Sequence, residues 1–153
     1  MMVSVAGREM IFWNISNLKS LYHFRFDFGT FILMLDIEHV LLVDSFEYLF
    51  LLSDKTVRQI DTEDNKELFK FTINDKIQCG LVFLNYLIVA SNKCPYPAEK
   101  GEIKVWNHGH YEFCIHFKAH DLRVKDMKHV AVEDGDFLVT ADSNGVIRVW
   151  DIL

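Results

Sequence analysis

The 153-residue chain is short of the residues that break or staple a fold. Two prolines and seven glycines exclude a collagen-like or Pro/Gly-rich disordered polymer. The three cysteines, Cys79, Cys94 and Cys114, are odd in number and form no CxxC pair. That spacing points to neither a zinc knuckle nor a redox pair, and predicts buried or half-buried free thiols in a reducing compartment. Basic charge is scarce too. Sixteen Lys and Arg against 22 Asp and Glu leave a net charge of −6, which excludes binding of nucleic acid through bulk charge alone. No apolar run approaches the roughly 18 residues of a membrane span. The longest, such as residues 31–35 and 48–52, are strand-sized. Residues 1–10 lack the basic start and long apolar core of a signal peptide. The expectation is a soluble intracellular chain with no membrane partner.

What the chain has in plenty is apolar and aromatic matter. Half of its residues are apolar, and thirteen Phe, five Tyr and three Trp favour strands. A chain of this length buries roughly 70% of the surface it exposes when unfolded.

The sequence repeats. Residues 137–152, Phe-Leu-Val-Thr-Ala-Asp-Ser-Asn-Gly-Val-Ile-Arg-Val-Trp-Asp-Ile, align with residues 2–15. Each has a short apolar strand, a polar turn and a strand closing on Trp followed by Asp or Asn. A third copy runs from Tyr86 through an insertion to Trp106-Asn107, and a fourth from Tyr48 to Asp61, with Ile60 where the others have Trp. The anchors Trp13, Ile60, Trp106 and Trp150 are 47, 46 and 44 residues apart. A period in the mid-forties ending on Trp-Asp is the signature of the WD-repeat β-propeller. The predicted fold is all-β: a partial propeller of about three to four blades, each a four-stranded antiparallel sheet. It forms one domain over 1–153, with repeat units of about 1–15, 16–61, 62–107 and 108–153.

Between anchors the pattern supplies the remaining strands. Residues 66–71 and 112–117 alternate as half-exposed outer strands. Residues 77–84 and 124–132 read as inner strands, although 127–132 also fits a helical turn. Residues 21–28 and 31–43 carry more apolar residues than two strands need, and their register stays open. The chain starts at what reads as the second strand of a blade and ends after a third. A closed propeller has four to eight blades. The shortfall has three readings: a part of a longer protein, closure with a partner chain, or a small open stack of sheets.

In the last copy, His120, Thr140 and Trp150 sit where a loop His, a strand hydroxyl and the indole N–H lock a WD blade by hydrogen bonds. Asn144 takes the usual place of the turn Asp, with Asp142 as its substitute. No GxSxG, P-loop or HExxH motif is present, so no enzyme, metal or cofactor is expected. His108-Gly-His110 reads as a solvated turn. Glu133, Asp134 and Asp136 around Gly135 read as a hairpin turn rather than an acid–base pair. Two elements are candidates for partner docking. One is the insertion at 92–101, which holds both prolines and Tyr96 as an aromatic anchor. The other is a small basic patch of Arg123, Lys125 and Lys128.

Residues 117–127, Phe-Lys-Ala-His-Asp-Leu-Arg-Val-Lys-Asp-Met, followed by 137–152, resemble the PAK-interacting-protein family of WD-repeat factors in large (60S) ribosomal subunit assembly. The order of anchors, Trp13 and then Ile60, is also similar to that family. The chain differs in lacking the first half of the propeller, in its insertion at 94–97 and in having no basic tail after Leu153. The resemblance implies a non-enzymatic scaffold in the nucleus and nucleolus, with the cytoplasm as a further location. Its partners would be pre-ribosomal large-subunit proteins and rRNA, with the missing propeller half or a second chain completing the ring. The alternative it implies is a signalling scaffold that binds and restrains a PAK-type protein kinase.

Overall fold

The computed structural model describes residues 2–6, 9–14, 16–25, 39–43, 47–64, 66–93 and 100–152. These form fourteen strands and no helix among the described residues. The strands make four antiparallel meanders, each pairing in chain order. The first holds β1 (Met2–Ala6), β2 (Glu9–Trp13) and β3 (Ser20–Arg25). The second holds β4 (His39–Leu42), β5 (Tyr48–Ser53), β6 (Thr56–Asp61) and β7 (Glu67–Thr72). The third holds β8 (Lys76–Phe83), β9 (Tyr86–Lys93), β10 (Lys100–Asn107) and β11 (Glu112–His120). The fourth holds β12 (Val124–Val132), β13 (Gly135–Asp142) and β14 (Ile147–Asp151).

The sheets stack through their leading strands. β8 packs against β4 and β5 on one side and against β12 on the other. Leading strands are therefore inner, and β7 and β11 are outer. Burial follows this order: β5 and β6 are buried almost throughout, whereas β7 alternates and β11 is exposed until Phe117. Residues 127–132 lie in a regular strand, so pairing with β13 overrides their helical spacing. Of the ambiguous stretch, 20–25 and 39–42 are strands, and the rest of 26–38 lies outside the described residues.

Two apolar seams hold the stack. Phe50, Leu52, Val57, Ile73, Ile77, Leu87 and Val89 fill the space between the second and third sheets, with Trp106 and Phe71 packed on them. Cys79, Ile88, Ala90, Ile103, Ala119, Val124, Met127 and Leu138 fill the next, with Phe117 and Trp150 against them. Each Val, Leu, Ile, Phe or Met among them contributes about 1.5–3 kcal/mol when fully buried, so the seams dominate stability. The outer strand of one sheet reaches the anchor of the next. Phe71 lies 4.8 Å from Trp106, and Phe117 lies 4.9 Å from Trp150, ring centre to ring centre.

Candidate functional site

The anchors occupy equivalent places. Trp13 pairs with Met2, Ile60 with Leu49, Trp106 with Leu87 and Trp150 with Leu138. Two residues further along the partner strand stand Ser4, Leu51, Val89 and Thr140 in turn. Where that residue carries a hydroxyl, the indole uses it. Trp150 donates its N–H to Thr140 Oγ1 at 2.9 Å, and Trp13 donates to Ser4 Oγ at 2.8 Å. In the two middle sheets the place is aliphatic, and packing alone holds the anchor. Ser4 was not singled out in the sequence, although it aligns with Thr140.

In the last sheet the chain of bonds continues. His120 is fully buried, with Nε2 2.7 Å from Thr140 Oγ1 and Nδ1 3.2 Å from Asp142 Oδ2. A carboxylate only accepts, so Nδ1 carries the proton. Nε2 then accepts the Thr140 O–H, and the Thr140 oxygen accepts the indole N–H. Every polar group in this buried line has a partner.

Asn144 enters differently from expectation. It contributes its backbone N–H to Asp142 Oδ1 at 2.9 Å, and Asp142, not the Asn144 side chain, faces His120. Asp142 also accepts the Val146 N–H at 3.0 Å. Burial pushes the Asp142 carboxyl up, but these two amides and His120 outweigh it and hold it below the ordinary carboxylate value. The turn closes through Gly145, whose φ of +80° suits glycine.

The His108-Gly-His110 turn is not wholly solvated. His110 is exposed, but His108 is buried at the other end of the sheets. Its Nε2 donates to the Leu84 carbonyl oxygen at 3.1 Å, and the Tyr48 O–H donates to its Nδ1 at 3.0 Å. Tyr48 belongs to the second sheet, so this pair stitches two sheets together. Burial lowers the His108 pKa, against the opposing pull of the Leu84 carbonyl, and raises that of Tyr48. The imidazole is thus a structural strut rather than a ligand. Among the described residues no group of His, Cys, Asp and Glu is arranged to hold a metal ion.

The docking candidates divide. Lys125 and Lys128 are exposed on the inner strand β12, and Arg123 is half-buried in the turn before it. Tyr96 and Cys94 lie outside the described residues. Cys79 is buried as expected, whereas Cys114 is exposed because it stands on the solvent-facing outer strand β11. Glu133 and Asp134 form the tight turn between β12 and β13, and Asp136 pairs with His129 Nε2 at 2.6 Å. An open, largely apolar hollow of about 600 Å³ separates the outer parts of the last two sheets, lined by Ile115, Phe117 and Trp150 among others. Its polar lining among the described residues is confined to Tyr86, Cys114, Trp150 and Asp151, against a majority of aliphatic and Phe side chains.

No family model and no curated protein matches the chain. Solved structures do match. The structure of U3-55K superposes on 98% of this chain with a TM-score of 0.72 at 18% identity. The RRP9 WD40 repeats cover 98% with a TM-score of 0.73 at 18% identity. Sqt1 of Saccharomyces cerevisiae covers 96% with a TM-score of 0.70 at 16% identity. The fold is a WD40 β-propeller, in part. The chain spans 45%, 44% and 40% of the U3-55K, RRP9 and Sqt1 chains, less than half of each.

Proposed function

We propose that this partial propeller is a non-enzymatic scaffold of large ribosomal subunit assembly, of the PAK-interacting-protein type, working in the nucleus and nucleolus. The observation that carries the reading is the segment 117–127, whose order of residues resembles that family. Its side chains divide into two sets. Phe117, Ala119, His120, Val124 and Met127 pack into the last seam, while Lys118, Asp121, Lys125 and Asp126 are exposed. A buried frame that presents a fixed row of charged side chains is how a rigid sheet stack docks a partner. The partners on this reading are pre-ribosomal large-subunit proteins and rRNA.

Co-purification tests it. Tagged chain should recover large-subunit precursors and assembly factors, and the double variant Arg123→Glu with Lys125→Glu should recover much less while keeping its strand signature in circular dichroism. Recovery of a kinase regulatory segment alone, surviving nuclease, would replace this reading with the kinase-scaffold one.

A further inference from the structure

Charge is not spread evenly over the two ends of the sheets. The strand registers put the starts of β8, β10 and β12 at one end with the end of β11, and the turns after β6, β10 and β12 at the other. The latter end carries Glu63, Asp64, Glu112, Glu133 and Asp134, all exposed. The former end carries a compact group of cations at the joint between the third and fourth sheets. Lys118, from the end of β11, is ion-paired with Asp121. Arg148, from β14, approaches the same carboxylate at 3.9 Å. Lys100, from the start of β10, adds to the field on it, and the Asp121 carboxyl is held below its ordinary value chiefly by Lys118. Three cations from three strands thus surround one acid.

The group is built rather than incidental in one respect. Arg148 Nη1 donates to the Ala119 carbonyl oxygen at 2.7 Å, across the joint between the sheets. That bond fixes one nitrogen of a half-exposed guanidinium and leaves Nη2 beside Asp121, a fork of donors that suits phosphate oxygens. Asp121 is 74% exposed and Lys118 48%, so solvent and ligands reach both. Beside them Val146 and Ile147 offer exposed apolar area.

We infer that Lys100, Lys118 and Arg148 form a phosphate-backbone contact for single-stranded RNA, in which Asp121 holds the cations in place until an RNA phosphate displaces it. The polyanion is taken as RNA because the inference rests on the ribosome-assembly reading above; the location rests on the geometry alone. The acidic opposite end repels the same polyanion, so RNA meets the stack at one end only. The exposed aliphatic surface of Val146 and Ile147 accepts a base without reading its identity. Binding is therefore insensitive to sequence and sensitive to salt.

The test uses the full chain and a fluorescent oligouridylate of about a dozen nucleotides, followed by anisotropy across a salt series; three phosphate contacts imply a log–log slope near −2. Lys118→Gln and Arg148→Gln should each weaken binding several-fold and flatten the slope. Asp121→Asn should tighten it several-fold, although it breaks the same ion pair as Lys118→Gln. That opposition of sign is what a merely structural role would not produce. Absence of binding, equal weakening by Asp121→Asn, or displacement of the RNA by polyglutamate at equal charge would each overturn the inference, the last by assigning the patch to an acidic protein. Loss of RNA binding with undiminished co-purification of assembly factors would sink this contact and leave the ribosome-assembly reading standing.

Discussion

Gly101 stands so close to Leu122 that a β-carbon added to it would lie 2.6 Å from the Leu122 carbonyl oxygen. The Val124 side chain would be 2.7 Å away and its amide nitrogen 3.1 Å. β10 therefore meets the turn that begins the fourth sheet backbone to backbone, at the same end as the Arg148–Ala119 bond. Residues 101 and 122–124 set how closely the last two sheets approach, and with it the position of the segment 117–127.

Gly101→Ala should consequently destabilise the chain by about 1–3 kcal/mol, because the Leu122 oxygen and the Val124 nitrogen are main chain and cannot swing aside. Gly80 gives the contrast. Its added carbon would meet Leu52 Cδ1 at 2.5 Å and Leu41 Cδ1 at 3.0 Å, both tips of flexible side chains. Gly80→Ala should cost less. Urea midpoints of the two variants against wild type decide the matter, and equal costs would mean that the joint yields.

The anchor tryptophans should differ in kind. Trp150→Phe keeps a ring beside Phe117 but removes the N–H from Thr140, at a cost of about 1 kcal/mol from the bond alone. Trp106→Phe should cost less than that, since Val89 offers no hydroxyl at the equivalent place. Thr140→Val in a Trp150→Phe background should cost less than in the wild type, because the two share one line of bonds. Additive losses in that cycle would show that Thr140 and Trp150 act separately. Trp150→Ala, which also empties the seam, should cost about 3 kcal/mol.

Much of this architecture was legible because it follows from two periods. Alternation at 112–117 gave β11, and the Trp period gave the ends of β2, β10 and β14. The outer strand β11 nonetheless runs on to His120, since its last residues are buried by the fourth sheet, a tertiary effect that alternation does not carry. Asp142 and Asn144 were both eligible to face His120 on spacing alone. The choice between them is made by the turn, where the carboxylate of Asp142 is oriented by the Asn144 and Val146 amides. His108 was obscure for a different reason: a His-Gly-His triplet reads locally as a turn, and only the stacking of sheets brings Tyr48 to it. The structure also gives position 108 a counterpart in another sheet. Thr62 and His108 each follow their anchor by two residues, and each donates a backbone N–H to the residue just before the second strand, Glu47 or Asn85, while Ile152 donates to Asp136, the second residue of β13.

The two described cysteines should react unequally. Burial, helped by the Asp126 charge, pushes the Cys79 thiol up to about 12, so it carries almost no thiolate at neutral pH and has no path to reagent. Cys114 is exposed on β11. In a Cys94→Ser background, a maleimide at neutral pH should label Cys114 within minutes and Cys79 only after urea unfolds the chain, as read by mass spectrometry of the peptides. Rapid labelling of Cys79 would mean that the seam between the last two sheets opens readily.

His108 should make the stack sensitive to mild acid. Its folded-state pKa lies below the ordinary 6.5 because burial disfavours the imidazolium. Protonation would moreover put a proton on Nδ1, which now accepts the Tyr48 O–H, so the bond between the second and third sheets would have to reverse its direction. The unfolded chain binds the proton more readily than the folded one as pH falls below 6.5. The stability tied to His108 is therefore complete above that value and is lost as pH drops from it towards the depressed folded pKa. His108→Gln removes the titration while keeping a donor for the Leu84 carbonyl. Comparing urea midpoints at about pH 7.5 and about pH 5.5, wild type should lose more than His108→Gln. Every other side chain is the same in both proteins, so the difference between the two losses isolates this one. Equal losses would mean that protonating His108 does not weaken the joint between those sheets.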